Sequence, residues 1–520
     1  MHWATEMARK IIEERPNEEV YTCASGISPS GPVHIGNFRE LITTYFVVQE
    51  LIKLGKKVRF IFSWDDFDRF RKVPGVVPDS FEKYIGLPYS KVPSPDGIKE
   101  SYARYFQDIF ENELKELGVE VEYIYQTKEY TSKRYNEYIV HALNNRLEIF
   151  DILASFKTQE FTDEDKKNYY PVNLYCNKCG KDTTKVISYN KDNMTLEYEC
   201  DCSFKETIKV MEATNMKLQW RVDWPMRWKV ENVIFEPGGR DHSSATGSYN
   251  VCKIISKEIF NFEAPMYCAY DFIGIKGEST KISASGSKAI LLTDLLKVYD
   301  KNIILWIYAK YNPSSPFNIA MDEDVIKNYA EFDRYTKSYF NSQLEDEKQI
   351  ISLELSMVTD NYVNHIPFNY LATFLPMVNY DVKLLRALLE KEGITINDEL
   401  FNERLERAKN WLDTYGENYK IELLNEKNNS YYETLSAEEK NWINELNKVL
   451  ERDYTNTEDL QSVLYKIPYN NNLDEQQNKK IQKRFFQIIY NLLLGENKGP
   501  KLGLFLLALN KDKYLKLLTF

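Results

Sequence analysis

A run of small residues set between two regular stretches constrains the fold more than any other part of this chain. Val20-Tyr21-Thr22-Cys23 is apolar and reads as a buried strand. Phe38 to Leu54 reads as a helix ending at Gly55, with Ile35, Phe38, Leu41, Ile42, Tyr45, Phe46 and Leu51 at near-helical spacing. Between them lies Ala24-Ser25-Gly26-Ile27-Ser28-Pro29-Ser30-Gly31-Pro32-Val33-His34-Ile35-Gly36-Asn37, too poor in large side chains to be packing. Strand, turn and helix start in that order put backbone N–H groups and a positive dipole end where a phosphate can sit. His34 and Asn37 are three apart and share a face at the helix start. The alternative is an ordinary Pro/Gly-rich βα turn.

Lys57 to Ser63 supplies the next strand, so the first sixty residues predict a right-handed βαβ unit on a parallel sheet. Its carboxyl end runs into Ser63-Trp64-Asp65-Asp66-Phe67-Asp68-Arg69. Ligands of open α/β sheets gather at such strand ends. The three acids suit recognition of a cation or a ribose, or else an acidic helix cap. Residues 71–98 carry five prolines and predict a long loop, followed by helices over about 99–117 and 131–155 with a strand at 119–124 between them.

Four of the seven cysteines cluster. Cys176 and Cys179 form a CxxC, and Cys200 and Cys202 a CxC about twenty residues on. Soft thiolates in two pairs fit a structural tetrahedral zinc site with no open position; the alternative is four unrelated buried cysteines. Next, Trp220 to Trp228 holds three tryptophans and two arginines, suiting either a substrate cavity wall or an interdomain core. Val233 to His242 is a strand entering a Gly-rich turn that ends in Asp241 and His242. A helix over about 247–260 and a strand over 264–272 follow, then the small, cationic loop Lys276 to Lys288, of a kind that can close over phosphates. From about 300 glycine is scarce and helical periodicity dominates, as in the capping box Ser436-Ala437-Glu438-Glu439 ahead of Trp442, Ile443 and Leu446.

A net charge of −11 argues against non-specific binding of nucleic acid over the whole surface but leaves room for a local basic face. No apolar run is long enough to span a bilayer, and the odd cysteine count without a leader-like start argues against a disulfide scaffold, so a cytoplasmic location is expected. No membrane or DNA partner is expected.

Pro29 to Asn37 resembles the first signature motif of class I aminoacyl-tRNA synthetases, and Lys281-Ile282-Ser283-Ala284-Ser285 resembles their second, in the right order with an insertion between. The whole chain resembles the class I lysyl-tRNA synthetases, relatives of the glutamyl enzymes. The resemblance implies an α/β fold: a Rossmann-type parallel-sheet catalytic domain in two halves (1–70 and 216–300), a connective insertion (71–215) with a zinc knuckle at 170–210, and an all-α anticodon-binding domain (301–520). It implies ATP with Mg²⁺, L-lysine and tRNA-Lys as substrates, a lysyl-adenylate intermediate, transfer to a terminal 2′-hydroxyl, and activation that waits for bound tRNA. ATP would be held by Pro29, Ser30, Gly31, His34, Gly36, Asn37 and Lys281 to Ser285, with His34, Asn37, Lys281 and Lys288 acting on the phosphates. Ala284 stands where the second lysine of the motif is usual, so Lys281 is expected to act first with Lys288 assisting. Where glutamyl enzymes carry an arginine this chain has Ala24, beside Ser25 and Gly26. Lysine is therefore expected near Gly26 and Ser28, its ammonium on one of Asp65, Trp220, Asp241 and His242. A glutamyl-type enzyme and a non-catalytic RNA-binding paralogue are the alternatives.

Overall fold

The computed structural model describes residues 1–157, 159–276, 290–358, 362–378, 380–391, 393–416, 423–454 and 456–520. Two compact units emerge. The first comprises Met1–Leu296, Lys301–Ile319 and Gln343–Thr359; the second comprises Lys297–Asp300, Ala320–Ser342 and Asp360–Phe520. Among the described residues no helix is long and apolar enough to cross a membrane.

The first unit is built on a parallel sheet. Strand β1 (Tyr21–Ile27) leads to helix α1 (Ile35–Lys53) and strand β2 (Val58–Trp64); helix α2 (Tyr102–Leu117) precedes strand β3 (Glu122–Tyr125). After the insertion come helix α3 (Trp220–Glu231), strand β4 (Val233–Gly239), helix α4 (Ser248–Glu258) and strand β5 (Met266–Tyr270). The strand order is β5-β4-β1-β2-β3, with every pairing parallel. The chain therefore reverses its direction of growth beside β1, the place where open α/β sheets form a crevice. Strand β1 is longer than the apolar run suggested. Ala24, Ser25 and Gly26 pair with Ile61, Phe62 and Ser63 of β2 and belong to the strand rather than the turn. A methyl group on Gly26 would lie 2.8 Å from the Ser63 carbonyl oxygen, so small residues here serve strand contact as well as ligand access.

Helix α1 is buried on nearly all sides because more than the sheet covers it. Tyr308 donates from its hydroxyl to the Ile35 carbonyl (3.0 Å), and Arg39 donates to the carbonyls of Asp271 (2.6 Å), Asn312 (3.1 Å) and Ser315 (2.8 Å). The 71–98 stretch contains two short 3₁₀ turns, Asp79–Tyr84 and Tyr89–Lys91, packed with Phe70 and Tyr102. The single helix expected over 131–155 is three: Gln126–Thr131, Asn136–Asn144 and Arg146–Ser155, the first break carrying Lys133 at φ 69°. Within the insertion, Thr184–Asn190, Thr195–Cys200 and Lys205–Lys209 form a three-stranded antiparallel sheet.

The second unit is helical in its described residues. The capping box forms as expected, Ser436 and Glu439 each closing on the other's backbone at the start of Ala437–Leu450. Arg404 lies at its centre, 1% exposed, donating to Asp300 (2.9 Å), both oxygens of Asp333 (2.8 and 2.7 Å) and the Ile366 carbonyl (3.0 Å). Full pairing is what makes a buried guanidinium tolerable.

Candidate active site

His34 caps helix α1. Its Nδ1 accepts from the backbone N–H groups of Gly36 (3.1 Å) and Asn37 (3.3 Å), which fixes the ring proton on Nε2. Burial pushes the imidazole down to about 4, so the ring is neutral at pH 7 and presents an N–H donor. A methyl group at Gly36 would crowd the His34 ring at 3.0 Å, so glycine is what lets the cap form. Ile35 donates to the Ile290 carbonyl (3.2 Å), so the chain just beyond 277–289 returns to this helix start. Asn37 is half-buried, with no side-chain partner among the described residues.

At the carboxyl ends of β1, β2 and β4, against α1 at Glu40, opens a cavity of about 110 Å³. One wall is α3, where Trp220, Trp224 and Trp228 recur every four residues; Trp220 and Trp224 stack at 5.0 Å between centroids, and Trp228 meets Trp224 tilted at 4.9 Å. Two carboxyl groups in the lining make no direct ion pair among the described residues. Glu40, on α1, accepts from the Gly26 N–H (3.1 Å) and the Tyr270 hydroxyl (2.8 Å), and burial pushes it up to about 8. Glu236, on β4, accepts from the Trp228 indole (2.6 Å), and burial pushes it up to about 7. Of the two, only Glu236 feels a cation, Arg227, which offsets part of the burial effect; such a carboxyl would be stabilised by an arriving cation. Asp65 is different: Arg227 donates to it at 2.5 Å and also lies 3.5 Å from Asp223. Burial pushes the Asp65 carboxyl up while Arg227 pulls it down. A cation does line this cavity, then, but two acids hold it.

Cys176, Cys179, Cys200 and Cys202 converge, their sulfurs all within 4.8 Å of one another. Cys176 and Cys202 are 3.7 Å apart, and Cys179 and Cys200 3.6 Å. Four thiolates at Zn–S bonds of about 2.3 Å in a tetrahedron stand about 3.8 Å apart, so the donor set fits zinc. The Lys178 N–H (3.4 Å from Cys176 Sγ) and the Thr183 hydroxyl (3.4 Å from Cys200 Sγ) are placed to support sulfur charge.

The family model of class I (K) tRNA synthetases matches residues 1–359. This chain belongs to the class I (K) tRNA synthetases. It is 36% identical over 528 residues to the lysine–tRNA ligase of Borreliella burgdorferi, covering 99% of this chain and 98% of that one. Its identity to the lysine–tRNA ligase of Treponema pallidum is 35% over 541 residues (100% and 98% covered), and to that of Thermococcus kodakarensis 35% over 531 residues (99% of each).

In this class I (K) synthetase the residues expected from sequence separate into groups. Gly26, Asp65, Trp220 and His242 line the cavity together. Ser28 does not; its hydroxyl donates to Asp68 (2.9 Å), which is also bound by Lys217. Asp241 is exposed and outside the lining. Asp65 is committed to Arg227 and so is not a free partner for an ammonium. Pro29, Ser30 and Gly31 form the approach to His34, held where Tyr102 donates to the Ser30 carbonyl (2.8 Å). Lys281, Ile282, Ser283, Ala284, Ser285 and Lys288 lie outside the described residues. Sequence reasoning missed Glu40 and Glu236 as site residues. Glu236 carried a signal, an acid directly after the apolar Val233-Ile234-Phe235 and buried on its strand; Glu40, next to Arg39 on a helix, carried none.

Proposed function

We propose that this synthetase joins L-lysine to tRNA-Lys at the expense of ATP, and that Glu40 and Glu236 receive the lysine ε-ammonium. The observation that carries the reading is the cavity lined by Glu40 and Glu236, two carboxyl groups that accept hydrogen bonds and make no direct ion pair among the described residues. A glutamate side chain there would meet two acids and an arginine already neutralised by Asp65 and Asp223. The names of the relatives favour the same amino acid.

In this reading the lysine carboxylate attacks the α-phosphorus of Mg·ATP in line, pyrophosphate leaves, and the adenosine 2′-hydroxyl at the end of the tRNA takes the lysyl group from the adenylate, releasing AMP. The protein positions and stabilises charge and forms no covalent intermediate. Neutral His34 donates from Nε2 to a phosphate oxygen, Asn37 donates from its amide, and the amino end of α1 adds its dipole. The tryptophan wall excludes water from the ammonium. Lys281, assisted by Lys288, supplies positive charge to the triphosphate. Zinc, held by the four cysteines, would fix the hairpin sheet of the insertion near the acceptor end of the tRNA, and the helical C-terminal region would read the anticodon.

ATP–pyrophosphate exchange with each of the twenty amino acids, with and without tRNA, tests the reading. Lysine alone should support exchange, and only with tRNA present. Exchange with glutamate, or none with any amino acid, would overturn it.

A further inference from the structure

The second unit holds a cavity of its own, about 280 Å³, between the helix Asp324–Phe340 and the irregular segment 362–367. The Tyr362 ring is 41% exposed and borders Phe340 at 5.9 Å. Its hydroxyl donates to Asn364 Oδ1 (3.4 Å), which leaves the Asn364 amide nitrogen to donate elsewhere. His365 keeps Nδ1 buried with no hydrogen-bond partner. A buried polar atom left unpaired is destabilising, and a ligand that reached it would relieve the cost. Arg334 and Lys337 stand one turn apart on the helix, both exposed and without an ion-pair partner among the described residues. Asp333, the acid of the lining, has both oxygens taken by Arg404. The cavity is therefore locally positive in a chain of net charge −11.

An inorganic anion would use the two cations and leave the ring and the amide idle. A carboxylate side chain would do the same. A ring to stack on, an amide and an imidazole nitrogen to pair with a base edge, and two cations for phosphate together describe a nucleotide. We propose that this cavity receives one unpaired nucleotide of the bound tRNA, its base on Tyr362 and read by Asn364 and His365, its flanking phosphates on Arg334 and Lys337. The inference rests on the reading of the chain as a tRNA ligase and assigns to that reading a specific contact.

The test is binding of transcribed tRNA-Lys to the full-length enzyme across a salt series. Tyr362→Ala should weaken binding about tenfold or more, the scale of one lost base stack, while Tyr362→Phe should bind as wild type. The double variant Arg334→Ala/Lys337→Ala should weaken binding and flatten the log–log salt slope by about 1.4, roughly 0.7 per phosphate contact on unpaired RNA. In steady-state lysylation the KM for tRNA should rise while kcat at saturating tRNA holds. If the wild-type enzyme charges tRNA and these variants bind with wild-type affinity and slope, the role of this cavity is overturned and the ligase reading survives. If the wild-type enzyme charges no tRNA, the reading beneath it falls and takes the proposal with it.

Discussion

At the scale of single residues, the three ionisable groups nearest the expected chemistry separate by task. His34 is pushed down to about 4, while Glu236 and Glu40 are pushed up to about 7 and 8, burial being the leading cause each time. His34 stays neutral throughout the working range, so kcat for activation at saturating lysine should show no ionisation near pH 6.5. Loss of its donated hydrogen bond in His34→Ala should cost about a hundredfold in kcat, close to 3 kcal/mol, in pyrophosphate exchange. Glu40 and Glu236 predict the opposite pattern in binding. In the free enzyme they are protonated below their raised values; the ε-ammonium, charged until about pH 10, favours the ionised forms, so lysine binding expels protons. The KM for lysine should therefore rise as pH falls from 8 to 6, by at most about tenfold per unit for each group released. Glu40→Gln should raise that KM by two orders of magnitude and abolish its pH dependence at the upper end, on the scale of a lost charge-assisted hydrogen bond of about 3 kcal/mol. An unchanged KM in Glu40→Gln and Glu236→Gln would remove both from the lysine site. These two acids were hard to read in the sequence because periodicity counts apolar residues: Glu40 sits beside Arg39 like any helix-surface charge, and Glu236 stands at the end of an apolar strand where a polar residue is expected. What made them functional candidates was the convergence of α1, β4 and β5, a tertiary fact.

At the scale of elements, what was legible was whatever local chemistry dictates. The βαβ start, the capping box at Ser436 and the convergence of two cysteine pairs all follow from short-range pattern, and all are present. The three-way break of 126–155 was not legible, because neither Lys133 nor Asn145 is a residue that forces a helix to stop. The tryptophans of α3 were read as a cavity wall with an interdomain core as the alternative; all three line the cavity, Trp220 at 38% exposure and Trp224 and Trp228 buried. The insertion gives a sharper prediction. The strands Thr184–Asn190 and Lys205–Lys209 expose most of their residues and enclose little core, which points to the cysteine cluster as what holds their sheet. The purified protein should contain about one zinc per chain, and Cys176→Ser should drop that ratio and open the 184–209 hairpins to protease, because a structural zinc site supplies folding free energy directly. Four cysteines that titrate freely with a thiol reagent in the native protein would contradict this.

At the scale of the whole chain, the sequence changes character near residue 300, but the compact units do not divide there. Lys301–Ile319 and Gln343–Thr359 belong with the sheet. The composition shift marks where strands give way to helices, and helices are as able to cover a sheet as to build a bundle. The contacts say what these segments do. His2 bonds the Ala309 carbonyl through its Nε2 (2.9 Å), Asn302 donates to the Met357 carbonyl (2.9 Å), and Ile273–Ile275 pairs in parallel with Phe317–Ile319. Above all, Arg39 on α1 reaches carbonyls at 312 and 315, and Tyr308 holds Ile35, next to His34. A fragment ending at residue 300 would leave the 3%-exposed Arg39 with part of its acceptors removed and one side of α1 uncovered. Stranding a buried charge in this way costs about 3–5 kcal/mol, a large part of a domain's net stability. Residues 1–300 expressed alone should therefore lack a cooperative thermal transition and bind no ATP analogue. Residues 1–359 retain every segment of the first unit and should unfold cooperatively and bind the analogue, with tRNA charging lost because most of the second unit is gone. Calorimetry on the two fragments decides the matter. Cooperative folding of 1–300 would mean that the helices beyond it are accessory to the catalytic sheet, and the alignment of His34 would then have to come from the sheet alone.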